Sequence, residues 1–146
     1  MSNIMLFLSI AVIDLALVLF AWRLGKNYLT ATILLNILLT TIFVGKLVPM
    51  LGFVTTAAEA FYASVFIATD ILTEHHGRKE GYKSIFAGFL VLSGFVVLSN
   101  LALGFTSIAD SSIIAQAMQD LFGVIPRLAI ASFIAYIIAQ CFDIFI

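Results

Sequence analysis

Apolar residues along this chain come in long, nearly unbroken blocks rather than in alternation with polar ones. Five blocks stand out, at about 4–22, 29–48, 54–73, 85–105 and 124–146. Each approaches the roughly 20 residues a helix needs to cross a hydrocarbon core. The stretches between them are "RLGKNY", a short turn around Pro49 and Gly52, "EHHGRKEGYKS" and "TSIADSSIIAQAMQDLFG". In the last, Ile113, Ile114, Ala117, Met118, Leu121 and Phe122 recur at helical spacing. That pattern predicts a short helix lying in the membrane interface. No internal repeat, linker or low-complexity tract interrupts residues 1–146, which read as a single transmembrane domain. The expected fold is an all-α integral membrane protein, with about five transmembrane helices and the short interfacial one.

Composition agrees with the blocks. Hydrophobic residues make up 63% of the 146 and charged residues only 10%, with a mean hydropathy of +1.19. Soluble domains carry about 25% charged residues, so the solvent for most of this surface is lipid. A net charge of −1 excludes the basic face that a nucleic-acid partner requires. Cys141 is the sole cysteine and forms no internal disulfide. The first block is expected to stay as a permanent helix, because no Lys or Arg precedes Ile4 and Asp14 interrupts the run, unlike a cleavable signal.

Charge in the short loops sets the expected orientation. The first and third loops carry Arg23, Lys26, Arg78, Lys79 and Lys83, against Lys46 and Arg127 on the other side. The richer side should be cytoplasmic, with the N-terminus outside and the C-terminus inside the cytoplasmic (inner) membrane.

Ionisable groups within spans cost about 2.5–3.5 kcal/mol each at a helix centre, so each needs a reason. Asp70 and Glu74 lie four apart and project from one face of the third helix. Asp143 should reach a similar level from the fifth, forming an acidic cluster towards the inside. Lys46 and Arg127 fall near the outer ends of their helices, within reach of Glu59 or of a substrate entrance. Asp14 has no evident partner and is left outside the candidate site. No nucleophile elbow, zinc helix or phosphate loop is present, so neither an enzyme nor a cofactor is expected. Carboxylate and imidazole do suit divalent transition metals. A metal-ion carrier using Asp70, Glu74 and His76 is therefore one alternative, and a non-transporting structural membrane subunit another.

Three stretches in order resemble the queuosine precursor transporter family, also called the putative vitamin uptake transporter family. "YASVFIATDILTEHHGRKEG" is similar to its D-I-L-T/S-E-x-x-G signature, followed by a basic loop. "NILLTTIFVGKLVPMLGF" matches its N-x(9)-K-L segment through Asn36, Lys46, Leu47 and Gly52. "PRLAIASFIAYIIAQCFDIFI" matches a third through Arg127, Ser132, Tyr136, Gln140 and Asp143. The resemblance implies import of 7-deazapurine bases, namely 7-cyano-7-deazaguanine, 7-aminomethyl-7-deazaguanine or queuine. It also implies a substrate site drawn from Asp70, Glu74, Asn36, Lys46, Arg127, Ser132, Gln140 and Asp143, and gives His75 and His76 no role. Asp70 would grip the base edge, since a carboxylate accepts two adjacent N–H donors in a charge-assisted pair. Members of the family continue beyond the position of Ile146 with further helices. The chain is thus expected to be a fragment, or a shortened member that completes its site by association, for instance as a homo-oligomer.

Overall fold

Ser2 opens the first helix, α1 (Asn3–Leu24), its Oγ accepting the Met5 N–H at 3.3 Å. Gly25 ends that helix and starts α2 (Lys26–Phe43). Its N–H donates back to the carbonyls of Ala21 and Trp22, and its own carbonyl accepts from Tyr28 and Leu29. At φ 120° and ψ 172°, Gly25 occupies a backbone region essentially closed to residues with a Cβ. Gly77, at φ 88° and ψ 157°, repeats the device between α3 (Glu59–His76) and α4 (Arg78–Ala102). Its N–H donates to Thr73 and its carbonyl accepts from Glu80 and Gly81. Two helical hairpins therefore turn on one glycine each. The computed structural model describes residues 2–106 and 112–145, the side chains at 112, 133 and 143 excepted.

Both glycine turns lie at one end of the bundle. Lys26 at the start of α2 bridges to Glu80 in the first turn of α4 at 3.4 Å, and Lys83 reaches the same carboxylate at 2.5 Å. The Trp22 and His75 rings meet there too, with centroids 5.0 Å apart. The first and third loops thus share a side, as the sequence requires. At the other end the chain departs from expectation. The second span was to run to residue 48 and the third to begin at 54. Instead, Leu47–Met50 and Phe53–Thr56 pair as antiparallel strands β1 and β2. Leu51 and Gly52 form the tip, both with positive φ, as a two-residue hairpin turn demands. The β-branched run Val54-Thr55-Thr56 and Pro49, which donates no backbone hydrogen bond, favour strand over helix here. Asn3 Nδ2 holds the hairpin against the start of α1 by donating to the Pro49 carbonyl at 2.9 Å.

α3 packs against α1, α2 and α4, and α6 (Ile125–Phe145) lies chiefly on α4 with lesser contacts to α2 and α3. The short α5 (Ser112–Phe122) precedes it as predicted. Among the described residues, four stretches are long and apolar enough to cross a membrane: α1, α2, α4 and Ile113–Phe142, the last running through α6. α3, the remaining expected span, has 18 residues that include Glu59, Asp70 and Glu74, which dilute its apolar character. Its surroundings hold it in place instead. Gly81 and Gly88 of α4 let neighbours approach closely. A Cβ on Gly81 would stand 2.5 Å from Thr73 Oγ1, and one on Gly88 2.7 Å from Ile37 Cδ1.

The bundle has an apolar core, but unlike a soluble protein's its exterior is apolar as well. Large apolar side chains such as Phe20, Phe86, Leu90, Leu98 and Ile130 face outward, while Asn36, Thr69, Ser84 and Gln140 are buried. An apolar exterior is the natural state of a helix surrounded by lipid tails. The molecule is an all-α, multi-pass membrane protein.

Candidate functional site

Helical periodicity assigns α2 an inward face of Leu29, Thr32, Ile33, Asn36, Ile37 and Thr41. α6 turns Ile125, Ala129, Tyr136, Gln140 and Ile144 inward at the same spacing. Where these faces meet α3 and α4, a cavity of about 30 Å³ remains, lined by Ile37, Thr40, Thr41, Tyr62, Leu92, Ser132 and Tyr136. Its polar lining is made of hydroxyls. Thr41 donates to the Ile37 carbonyl and Ser132 to the Leu128 carbonyl, while Thr40 Oγ1 is buried with no hydrogen-bond partner. That volume suits a water molecule, whereas sites for small organic ligands run to roughly 300–1,000 Å³. Substrate entry at this point requires the helices to part.

The eight residues expected at the site divide into three groups. Ser132 lines the cavity, and Gln140 is fully buried one helical turn beyond Tyr136. Neither Oε1 nor Nε2 of Gln140 has a hydrogen-bond partner among the described residues. Asn36 is also fully buried, but its Nδ2 donates to Asp14 Oδ1 at 3.0 Å, so the donor expected for a base is already engaged.

The second group faces outward. Asp70 and Glu74 share an exposed stripe of α3 with Glu59, Ala63 and Ile67, opposite the buried stripe of Ser64, Val65, Ala68, Thr69 and Leu72. The two carboxylates stand together, one turn apart, but the structure does not bring them to the inner cavity. Lys46 lies in the link before β1, beyond the helix end at Phe43, and is exposed. Arg127 is exposed in the first turn of α6. Neither forms an ion pair with Glu59 among the described residues. Asp143 alone forms the third group: its side chain lies outside the described residues.

The candidate site drawn from the sequence left out Asp14, Thr40, Tyr62 and Tyr136, although Asp14 was noted as a charge in the first span and Tyr136 as part of the third family segment. Asp14 precedes Gly25 by as many residues as Asn36 follows it. Two helices joined by a one-residue turn bring such positions level, and that symmetry was the available signal. Thr40 and Tyr136 each lie one turn from a named site residue, at i+4 from Asn36 and i−4 from Gln140. No group of three or more His, Cys, Asp or Glu side chains gathers as a metal site among the described residues, which leaves the metal-carrier reading without support.

Residues 56–146 match the family described as "Putative vitamin uptake transporter". The whole chain is 30% identical, over 147 aligned positions, to a protein of Bacillus subtilis (strain 168) named "Probable queuosine precursor transporter". It spans 64% of that relative's length. No solved structure matches it.

Proposed function

This chain belongs to the putative vitamin uptake transporter family, and on that premise we propose that it imports 7-deazapurine precursors of queuosine across the cytoplasmic membrane. The relative's name supplies the substrate class, and the carboxylate pair on α3 supplies a chemical reason for it. Asp70 and Glu74 lie one turn apart on the exposed stripe of α3, and ionisable groups within a membrane bundle mark substrate or ion paths. A guanine-like edge presents two adjacent N–H groups, the ring NH and the exocyclic amine. One ionised carboxylate accepts both, which is the strong and specific arrangement. Glu74, one turn on, matches the ammonium of a 7-aminomethyl substrate. Gln140 offers both a donor and an acceptor, neither of them engaged among the described residues, as a purine carbonyl or ring nitrogen requires. The transfer RNA that receives the base never meets this chain.

The test is uptake in cells that use but do not make the precursor, read as queuosine in their transfer RNA. The chain as given is compared with a version extended by the relative's remaining length. Asp70→Asn keeps the shape and removes the charge. Uptake is expected to fall by about tenfold or more, the worth of one charge-assisted hydrogen bond, with membrane abundance unchanged. Wild-type uptake persisting in Asp70→Asn would remove that residue from the grip. Failure of both wild-type forms to restore queuosine, despite good abundance, would remove the deazapurine.

A further inference from the structure

Asp14 lies at the middle of α1 and Asn36 at the middle of α2, so the contact between them sits at half the depth of the bundle. Asp14 is 6% exposed and Asn36 fully buried. Asn36 Nδ2 donates to Asp14 Oδ1 at 3.0 Å. The two remaining oxygens, Asp14 Oδ2 and Asn36 Oδ1, are both buried with no hydrogen-bond partner among the described residues. Both are acceptors, and neither meets a donor there. We propose that Asp14 and Asn36 form a midplane binding site for a monovalent cation, a proton or a sodium ion.

A purely mechanical clasp between two helices does not need this chemistry. Two neutral carboxamides would hold α1 to α2 with donors and acceptors in balance. A carboxylate in that place adds a buried charge and one acceptor too many, and a buried polar group left without a partner is destabilising. One cation removes the charge and supplies the missing donor. A proton suffices by itself, because Asp14 Oδ2–H has an unengaged acceptor on the residue it already touches. Sodium needs further oxygens around it. Thr32 lies one turn before Asn36 on the same face, and its hydroxyl, while donating to the Tyr28 carbonyl, keeps an oxygen a cation can coordinate. The proton is favoured because it needs no oxygen beyond the two already in place.

Among the described residues, no other ionisable group shares the site. α1 packs on α2, α3 and β1. The inward faces of α2 and α3 carry Leu, Ile, Val, Ala, Ser, Thr and Asn, and β1 is Leu-Val-Pro-Met. Glu59, Asp70 and Glu74 occupy the outer stripe of α3, and His75 stands at the far end of α1 beside Trp22. The site does not depend on what the protein carries. Only the coupling of this cation to uptake rests on the transport reading above.

The experiment uses the full purified chain in phospholipid nanodiscs, without substrate, so its outcome is separate from that of the uptake assay. The unfolding midpoint is followed from mildly alkaline to acid pH in choline chloride, and then with sodium replacing choline at fixed pH. A cation bound only by the folded state raises the midpoint by about 3–6 °C for each tenfold rise in its concentration, once above its dissociation constant. Stabilisation on acidification alone identifies the proton, and stabilisation by sodium at fixed pH identifies sodium. Asp14→Asn should lose that response and sit near the midpoint of the loaded wild type, whereas any contribution from His75 would persist in it. If the wild type responds to neither ion, the site does not exist. The same holds if Asp14→Asn, or Asn36→Ala where that variant folds better, keeps the full wild-type response.

Discussion

Gln140 sets function against stability within a single side chain. It is fully buried, and its carboxamide has no hydrogen-bond partner among the described residues, in a helix built mainly of Ile, Ala, Leu and Phe. Gln140→Leu replaces that unmet group with one the surroundings accept, a change worth roughly 1–3 kcal/mol in favour of the fold. The expected outcome is a higher unfolding midpoint together with impaired uptake, measured on the same preparation. Equal loss of both would make Gln140 an ordinary packing residue. At this scale the sequence was a partial guide. It singled out Gln140 and Asn36 because a carboxamide in an oily run is conspicuous. It missed that Asn36 is spoken for, because the level of Asp14 depends on a turn whose length no composition argument supplies. It grouped Asp70 with Glu74 correctly by their spacing. Which way that face points is decided by the neighbours of α3, and those are tertiary facts.

Among the elements, the helices were legible and their ends were not. Long apolar runs announce helices, yet α4 begins at Arg78 and takes in nearly all of the basic loop expected before it. A helix surface accommodates Lys and Arg readily where the chain leaves the hydrocarbon. The β-hairpin was hidden inside two apolar blocks, because Leu, Val and Phe look alike to a hydropathy argument in either conformation. Packing between α4 and its neighbours yields a sharper expectation. Gly88 leaves 2.7 Å between a built Cβ and Ile37 Cδ1, so Gly88→Leu inserts three further carbons into filled space. Overpacking of that kind costs about 1–3 kcal/mol, and the yield of folded protein by size-exclusion chromatography should drop. The chemically identical change at Gly94, whose Cβ direction is open, should leave the yield near wild type.

For the whole molecule, the membrane class follows from the balance of charged to apolar residues and needs no coordinates. The relative placement of the loops does need them, and the Lys26–Glu80–Lys83 cluster provides it. With the basic residues collected at that end, the positive-inside bias predicts which side it faces. A cysteine introduced at Lys79, in a Cys141→Ser background, should be labelled by an impermeant maleimide only in inverted vesicles. One at Phe53, near the hairpin tip, should be labelled only in intact cells. The reverse pattern would invert the orientation and with it the direction of entry to α3. The outer stripe of α3 bears the two carboxylates on a chain that spans 64% of its relative. Nothing in the order of residues along that helix foretold whether the stripe would be inside or out.

The one-residue turns at Gly25 and Gly77 carry a final consequence, for the kinds of length change the protein can survive. A helix advances about 100° per residue, and a turn of one residue has no slack to absorb an extra one. Inserting a single amino acid after Gly25 would swing α2 by that angle and carry Asn36 away from Asp14, although every side chain in the helix stays the same. The same insertion at the Leu51–Gly52 tip, between strands that end in loops, would be taken up locally. A library of single-residue insertions should therefore show two narrow zones of intolerance at one end of the bundle and a permissive zone at the other. The gear between the helices is cut by the length of the chain at two glycines, not by the chemistry of the faces it aligns.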